Sequence, residues 1–272
     1  MSYALTGFEG RLAVVTGAGR MRSIGRPIAV ELARAGCDVV LVGTGRDPAS
    51  FPEEEQLAGW RDIDSVAEEI QALGRRALPV VADVSDPAEV EALTDRIMAE
   101  FGRFDILVNN AGAARAGDRV PLLDLELEDW HRVLHTNLDG TFYMCRSVAR
   151  AMRTTGKGGV IINLSTLGAR LLAPGTGAYA TSKLAINGLT TVLARELGPD
   201  QIRVNAVAPG IVDTSRLDDI PRGDVWDQLV ENYIPLRRAG TGTDIAHAVL
   251  FLCSDQGSWI SGQHLYVDGG QG

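Results

Sequence analysis

A tyrosine and a lysine four residues apart are the first candidates for chemistry in this sequence. Tyr179 and Lys183 stand in the segment Ala-Tyr-Ala-Thr-Ser-Lys inside a predicted helix, so both side chains lie on one helix face, one turn apart. A phenol is a poor base near neutral pH, but a neighbouring ammonium favours the phenolate. The pair predicts a proton donor and acceptor at Tyr179, with Lys183 supplying the cation. The bare spacing is also typical of two solvated neighbours on a helix.

Two adjacent hydroxyls could hold the oxygen of a substrate near that pair. Ser165 and Thr166 follow a predicted strand that precedes the Tyr179 helix. Either hydroxyl can donate a hydrogen bond. Because neighbours at the end of a strand point to opposite sides, only one of the two is expected to face the site.

A glycine-rich segment opens the first predicted helix. Glycines permit a tight turn and a close approach of the backbone to a ligand, and a helix N-terminus offers unpaired N–H groups to a phosphate. The alternative is a glycine-rich turn that only serves packing. The dinucleotide interpretation predicts contacts from Gly17, Gly19, Arg20, Arg22, Ser23, Ile24 and Gly25.

The end of the second predicted strand bears on the choice of cofactor. NAD recognition usually places a carboxylate there for the ribose hydroxyls, whereas NADP recognition replaces it with a cation. This sequence has Gly43 at that point, and the arginines that follow or precede it could bind a 2′-phosphate. NADP(H) is therefore favoured, and NAD(H) stays possible because Asp47 could serve as the ribose acid. The predicted contacts around the ribose are Arg20, Arg22, Thr44 and Arg46.

Strands and helices alternate along the whole chain. Strands that read as continuously apolar are buried on both faces, which indicates a parallel sheet with helices on each side. The predicted strands are Leu12–Thr16, Val39–Val42, Ala77–Ala82, Ile106–Asn109, Val160–Leu164, Arg203–Ala208 and His264–Val267. The predicted helices are Ile24–Ala35, Ile63–Leu73, Ala88–Phe101, Asp129–Met152, Tyr179–Leu197 and Asp244–Ser254. The pattern predicts an α/β fold with a doubly wound parallel sheet.

We expect one domain over residues 1–272, because no internal repeat or low-complexity linker divides the chain. The Gly45–Asp62 segment is long for a connection between a strand and a helix, which usually takes about 2–6 residues. It predicts a surface excursion beside the ligand at the carboxyl end of the second strand.

Composition excludes several classes of protein. The 45% hydrophobic content excludes a disordered chain, and the net charge of −9 argues against nucleic acid as a partner. No apolar run approaches the roughly 18 residues of a membrane span, and the start resembles no signal peptide.

Cys37, Cys145 and Cys253 lack metal-ligand spacing and fit a reducing cytoplasm. His131 and His135 have no third ligand nearby in the sequence, so no metal site is predicted.

Several motifs in a fixed order resemble the short-chain dehydrogenase/reductase family, in particular its 3-oxoacyl-ACP reductase-like members. The resemblance rests on the glycine-rich segment, Asn109-Asn110-Ala111-Gly112, the Tyr179–Lys183 spacing and Arg203–Gly210, and it extends from about Gly10 to Gly270. The glycine segment departs from the family pattern by two extra residues and by Ser23 in place of the middle glycine. The resemblance implies a Rossmann-type sheet of seven strands in the order 3-2-1-4-5-6-7. It also implies an NAD(P)-dependent oxidoreductase of a carbonyl and secondary alcohol pair, assembled as a homotetramer.

The resemblance also assigns roles to individual residues. Asn137 would relay protons through a water on its backbone carbonyl, and Lys183 would bind the nicotinamide ribose. Asp83 with Val84 would contact the adenine, although Asp83 could equally cap the helix ahead of Pro87. The remaining implied cofactor contacts are Asn110, Ala111, Gly112, Pro209, Gly210, Ile211, Val212 and Thr214.

The resemblance leaves the hydroxyl position and two other functions open. The family interval from Tyr179 indicates Thr166, whereas Gly168 three residues later and side-chain chemistry indicate Ser165. A sensor that binds NAD(P) without turnover, or a lyase or epimerase that uses the cofactor transiently, would share the fold. The substrate itself is a small molecule whose identity depends on loops at about 113–121, 167–177 and 213–235.

Overall fold

A seven-stranded, all-parallel sheet forms the centre of the computed structural model, which describes residues 4–272. Its strand order is β3-β2-β1-β4-β5-β6-β7. The strands are β1 (Leu12–Thr16), β2 (Asp38–Gly43), β3 (Ala77–Val81), β4 (Ile106–Asn109), β5 (Gly159–Leu164), β6 (Ile202–Pro209) and β7 (His264–Val267). The predicted fold class and strand order are both confirmed.

The sheet is covered by a helical layer on each face. Helices α1 (Gly25–Ala35), α2 (Glu53–Leu57), α3 (Ile63–Ala72), α4 (Pro87–Phe101), α5 (Leu127–Leu134), α6 (Gly140–Thr155), α7 (Gly168–Leu171), α8 (Gly177–Leu197), α9 (Asp224–Tyr233) and α10 (Gly242–Cys253) follow in chain order. Apolar side chains of α1, α3 and α10 form the core on one face, and those of α4, α6 and α8 form it on the other. No helix within residues 4–272 combines the length and apolarity needed to cross a membrane.

Strand β1 explains why the apolar runs are continuous. All five of its residues are buried, because successive side chains enter opposite layers. Ala13 and Val15 belong to the α1 side, whereas Leu12 and Val14 belong to the α4 side. Burial on both faces removes the polar alternation that a solvent-facing strand would show.

The ends of several helices follow their local sequence. Asp86 accepts hydrogen bonds from the backbone N–H groups of Ala88 and Glu89, and Pro87 occupies the first position of α4. Gly102 ends the same helix at φ +67, in the left-handed region that disfavours side chains with a Cβ. The observed helix limits lie within about two residues of the predicted ones for α1, α3, α4, α8 and α10.

The predicted helix Asp129–Met152 is wrong as one regular helix. The structure has α5, then one π-helical segment over His135–Asp139, then α6. The wider π turn accommodates an extra residue, and Asn137 sits buried at that point. Its amide nitrogen donates to the Ser182 hydroxyl at 2.9 Å, and its amide oxygen accepts from the Ala113 backbone N–H at 2.9 Å. These bonds stabilise a distortion that hydrophobic periodicity does not record.

The excursion over residues 45–62 is ordered and packs on the glycine-rich segment. It contains a short 3-10 turn at Pro48–Ser50 and helix α2. Glu55 is completely buried and accepts from the Met21 backbone N–H at 2.7 Å. The Trp60 indole donates to the Gly19 carbonyl at 2.6 Å. These two contacts fix the path of the extra residues in the glycine segment.

Candidate active site

A cavity of about 910 Å³ opens at the carboxyl ends of the strands, where the strand order reverses. It gathers side chains from the glycine-rich segment, from the ends of β2, β4 and β5, and from α8. Most predicted catalytic and cofactor residues line it. The predicted residues that do not are Gly25, Asn137, Thr166, Gly210, Ile211 and Val212.

Gly25 and the segment after β6 lie outside the cavity, where they are packed against other parts of the backbone. A Cβ on Gly25 would come within 2.6 Å of the Gly17 carbonyl oxygen, so this glycine permits the turn rather than facing a ligand. The Ile211 N–H donates to the Gln271 side chain at 3.1 Å. Val212 is buried and pairs with Gly240 in an isolated bridge. Within that part of the chain, Pro209 and Thr214 do line the cavity.

The glycine-rich segment has the form that a dinucleotide pyrophosphate requires. Gly17 has φ +68, and a Cβ there would come within 2.8 Å of the Ala111 Cα. The Asn110 amide donates to the carbonyls of Thr16 and Gly17, both at 2.9 Å, which holds the turn against β4. The N-cap residue Ile24 makes no side-chain cap, and at the start of α1 the Ser23 hydroxyl accepts from the Arg26 N–H at 3.2 Å, while the positive end of the helix dipole lies at the cavity. The residues present therefore fit a bound dinucleotide.

The end of β2 carries a cluster of charges. The Arg46 guanidinium contacts the buried Glu55 at 3.0 Å and Asp62 at 3.4 Å. Asp62 lines the cavity and was missed from the sequence because it lies at the far end of the excursion. The carboxylate of Asp47 accepts from the Ala49 N–H at 2.9 Å and does not line the cavity.

Arg20 is the cation at this end without an acidic partner. No carboxylate of the described chain lies within 4.0 Å of its guanidinium. Burial, followed by the nearby Arg46 charge, lowers the pKa of Arg20. Glu55 and Asp62 oppose this effect from beyond ion-pair distance, and an arginine that is partly desolvated and makes no direct ion pair is suited to an anionic ligand.

Asp83 lines the cavity and does not cap α4. Its carboxylate accepts from the backbone N–H and the hydroxyl of Ser85, at 2.9 and 2.7 Å. The cap of α4 is Asp86. Of the two interpretations of Asp83, the helix cap is therefore wrong.

Tyr179, Lys183 and Ser165 converge at the other end of the cavity. The Lys183 ammonium donates to the Leu164 carbonyl at 2.7 Å, and the Ser165 hydroxyl donates to the Lys183 carbonyl at 3.2 Å. Ser165 is buried and lines the cavity. Thr166 begins the following turn, where its hydroxyl accepts from the Gly168 N–H at 3.2 Å. The structure thus brings Ser165, and not Thr166, to Tyr179 and Lys183.

Lys183 is buried in a site that disfavours its charge. Loss of solvation and the repulsion of Arg216 lower the pKa of Lys183 to about 7. In the free protein, its amine therefore changes protonation near neutral pH. An anion bound in the cavity would favour the ammonium form.

Asn137 supports α8 from outside the cavity. Its amide binds the Ser182 hydroxyl, which donates to the Tyr179 carbonyl at 2.8 Å. Its backbone carbonyl, predicted to hold a water, accepts from the Thr141 hydroxyl at 2.6 Å. The side chain thereby links the π segment to the turn of α8 that carries Tyr179.

Two arginines that belong to none of the sequence motifs lie over the ring of Tyr179. The guanidinium carbons of Arg119 and Arg216 are 4.4 and 5.0 Å from the ring centroid. Arg119 belongs to the predicted substrate loop at 113–121 and Arg216 to the one at 213–235. For Arg216, its position two residues after Thr214 was the available signal in the sequence. Segment 167–177, the third predicted loop, contributes no lining residue to this cavity.

Other reactive side chains lie elsewhere. Burial raises the pKa of Cys37, Cys145 and Cys253 to about 12 in each case, and no disulfide joins them. His135 contacts Asp139 at 2.7 Å on the exposed side of the π segment. Within residues 4–272, no group of His, Cys, Asp and Glu is arranged to hold a metal ion.

Comparison with known proteins places this geometry among dehydrogenases and reductases. A family model described as enoyl-(acyl carrier protein) reductase matches residues 17–271. The chain is 36% identical to 7alpha-hydroxysteroid dehydrogenase of Escherichia coli K12 over 262 residues, which cover 96% of this chain and 94% of that protein. It is 38% identical to 3-oxoacyl-[acyl-carrier-protein] reductase FabG of Staphylococcus epidermidis over 259 residues, 95% and 97% of the two chains.

Solved structures of dehydrogenases resemble this structure over nearly its whole length. A 7 alpha-hydroxysteroid dehydrogenase complexed with NADH and 7-oxo glycochenodeoxycholic acid matches with a TM-score of 0.84 and 35% identity, covering 97% of this chain and 95% of that one. Carveol dehydrogenase from Mycobacterium avium in complex with NAD matches with a TM-score of 0.87 and 30% identity, covering 97% and 98%.

Proposed function

Because the chain belongs to the short-chain dehydrogenase/reductase family, we propose that it interconverts a carbonyl and a secondary alcohol with NADP(H) and with Tyr179 as acid/base. It is an NAD(P)-dependent oxidoreductase acting on CH–OH and carbonyl groups, and the proposal concerns its residues and its cofactor. The observation that carries it is the convergence of Tyr179, Lys183 and Ser165 in one cavity with the glycine-rich segment.

Each of the three side chains has a separate task. When bound, the nicotinamide supplies a hydride to the carbonyl carbon or takes one from the alcohol. The Tyr179 hydroxyl gives the proton to the carbonyl oxygen in reduction and accepts it in oxidation. The Ser165 hydroxyl rotates its proton from the Lys183 carbonyl to donate a hydrogen bond to the same oxygen, while Lys183 holds the cofactor ribose and keeps a positive charge beside Tyr179.

The remaining cavity residues hold the cofactor in this proposal. Gly17, Gly19 and the start of α1 receive the pyrophosphate, and Asp83 with Val84 receives the adenine. The segment Asn110–Gly112 lies beside the cofactor, and Thr214 binds the carboxamide. Gly25 and the Gly210–Val212 segment act indirectly, by shaping the backbone around these contacts.

Two features of the ribose end support NADP(H) over NAD(H). Both carboxylates there, Glu55 and Asp62, are already paired with Arg46, which reduces their repulsion of a phosphate. Arg20 lines the same end of the cavity and keeps its donors for a ligand. A 2′-phosphate would therefore form an ion pair with Arg20, whereas a ribose hydroxyl would leave that guanidinium without a counter-charge.

We expect NADPH to bind at least about tenfold more tightly than NADH, as one charge-assisted hydrogen bond contributes about 1.5–3 kcal/mol. Fluorescence titration of both cofactors measures the two dissociation constants. In Arg20→Gln the preference for NADPH should fall by about the same factor, whereas Arg34→Gln, on the exposed face of α1, should preserve it. Tighter binding of NADH by the unaltered protein contradicts the NADP(H) proposal.

Ser165 and Thr166 form a matched pair for testing the hydroxyl. We expect Ser165→Ala to lower kcat about tenfold, because it removes one neutral hydrogen bond of about 1–1.5 kcal/mol. Thr166→Ala loses only a contact to the Gly168 N–H and should retain kcat within about twofold. Steady-state turnover of one substrate by both variants checks the assignment, and the reverse order of effects would assign the role to Thr166.

The proposed activity is tested by stopped-flow absorbance of NADPH mixed with the protein and a panel of ketones and aldehydes. The expected result is oxidation of NADPH in stoichiometric excess over protein with at least one carbonyl class. A protein that binds NADPH but neither reduces a carbonyl nor oxidises the corresponding alcohol would be a sensor. This outcome would contradict the proposal.

We also propose a cytoplasmic homo-oligomer, a tetramer by analogy with the family. The large apolar side chains Leu123, Leu127, Phe142, Leu184 and Val192, on or next to α5, α6 and α8, are exposed in the single chain, which supports a partner surface. The buried, unpaired cysteines fit a reducing compartment. Light scattering of the purified protein determines the number of subunits.

A further inference from the structure

The end of the cavity that holds Tyr179 carries more positive charge than the proposed reaction uses. Arg119 and Arg216 lie over the Tyr179 ring, and Lys183 lies one helical turn further along α8. Arg119 comes from the segment after β4, and Arg216 comes from the segment after β6. Two separate parts of the chain thus bring a cation to one aromatic ring.

Most other charges in this region are paired. Arg115 contacts Asp219 at 2.7 Å, and Arg132 contacts Asp129 at 2.8 Å. Arg216, in contrast, has no carboxylate of the described chain within 4.0 Å and donates only to the Ala113 carbonyl, at 2.8 Å.

Arg119 is only partly neutralised. It shares the buried Asp118 with Arg132, at 3.3 and 3.7 Å. The buried Nε makes that 3.3 Å contact to Asp118 without hydrogen-bond geometry, so among the described residues it donates no hydrogen bond. A buried donor whose hydrogen bond is poorly formed is stabilised when a ligand supplies a better-placed acceptor.

Arg216 also stands at the centre of a group of like charges. Its charge contributes to lowering the pKa of Arg20, Arg119 and Lys183, although burial is the larger cause for each. Such an arrangement destabilises the free protein and is stabilised by an anion. The pyrophosphate near Gly17 and Arg20 accounts for one side of the group. It leaves Arg119 with only Asp118, which Arg132 shares, as a counter-charge.

We propose that Arg119 and Arg216 bind a carboxylate of the substrate, so that the preferred substrates are oxo acids and the corresponding hydroxy acids. This inference rests on the proposed function, since it places the carboxylate beside the carbonyl that Tyr179 protonates. Both guanidinium groups lie directly over the Tyr179 ring, so the anion must be a few bonds from the reacting carbon. A carboxylate is compact enough for this position, and an arginine pair can bind both of its oxygens.

The test compares acids with their neutral esters. The probes are 2-oxohexanoate, 3-oxohexanoate and 4-oxohexanoate, each against its methyl ester, with NADPH as reductant. The expected result is a kcat/KM at least about tenfold higher for one acid than for its ester, as expected for one charge-assisted hydrogen bond. Calorimetric titration of the same acids into the protein with NADP⁺ gives a binding constant that does not depend on turnover.

Charge-removing variants identify the residues. In Arg119→Gln and Arg216→Gln, the ratio of kcat/KM for the preferred acid and its ester should fall at least about tenfold. The matched control is Arg195→Gln, at the exposed end of α8, where the ratio should not change. Dissociation constants for NADPH in all variants separate this effect from a loss of cofactor binding.

The outcomes distinguish failure of the inference from failure of the proposed function. If esters and other neutral carbonyls are reduced as well as the acids, and the ratio is unchanged in both variants, the carboxylate site is refuted while the oxidoreductase activity stands. If Arg216→Gln weakens NADPH binding and leaves the ratio unchanged, Arg216 belongs to the cofactor site and the inference is refuted. If no carbonyl is reduced, the proposed function fails, and absence of calorimetric binding of the acids then refutes the inference as well.

Discussion

Replacing Tyr179 by phenylalanine is expected to lower kcat by about 10²–10⁴-fold, the range for loss of a general acid. The change removes one hydroxyl from a side chain at the cavity and leaves the ring beneath Arg119 and Arg216 in place. Protonation of the carbonyl oxygen then depends on solvent water, a weaker acid than a positioned phenol. Steady-state turnover of the best carbonyl substrate measures the effect.

Tyr143→Phe is the matched control, because Tyr143 lies on α6, partly buried against the core, and does not line the cavity. It should retain most of the activity. The Tyr179→Phe protein should still bind NADPH and unfold at the same temperature within about 2 °C, since no hydrogen bond of the Tyr179 hydroxyl is present in the structure. Near-normal kcat in Tyr179→Phe would remove Tyr179 from the role of acid/base.

Lys183→Met is expected to lower kcat/KM by about 10- to 100-fold and to weaken cofactor binding. Methionine keeps much of the buried volume and removes the charged hydrogen-bond donor, worth about 1.5–3 kcal/mol per bond to the ribose. Lys157→Met is the control, because Lys157 is exposed and is the only other lysine of the sequence. Equal cofactor affinity and equal kcat/KM in Lys183→Met and the unaltered protein would contradict the role of Lys183.

Stability gives the Lys183→Met experiment a second readout. The pKa of Lys183 is about 7 in the folded protein and about 10.4 in an unfolded chain. Between these values the unfolded chain binds more protons, so the free energy of unfolding of the unaltered protein rises with pH across that window. Lys183→Met lacks this contribution, and its stability curve should be flatter there in denaturant titrations at pH 6–10. An unchanged slope would show that burial does not depress the pKa of Lys183.

Much of the fold could be predicted because it depends on local patterns. Strands such as β1 read as uninterrupted apolar runs, and Asp86 with Pro87 marks the start of α4. The π segment around Asn137 could not be predicted in the same way. It is stabilised by bonds to Ser182 and Ala113, which are distant in sequence and close only after folding.

The site was predictable for residues in motifs and unpredictable for residues that act through distant partners. The sequence left Ser165 and Thr166 open, because the choice depends on where β5 stops and the turn begins. The Ser165 N–H still bonds to β6, at Val207, whereas Thr166 already accepts from the next turn. Arg46 could be identified as a cation, but its neutralisation by Glu55 required the fold of the excursion.

The contacts of Glu55 and Trp60 with the glycine-rich segment have a consequence for protein engineering. Residues 19–23 and residues 45–62 are two segments separated by one strand and one helix, and each supplies hydrogen-bond partners to the other. Grafting either segment alone onto a relative would leave the Met21 N–H, or the Glu55 carboxylate oxygen that does not bind Arg46, without its partner. The two segments therefore form a single module for chimaeras, to be exchanged together or not at all.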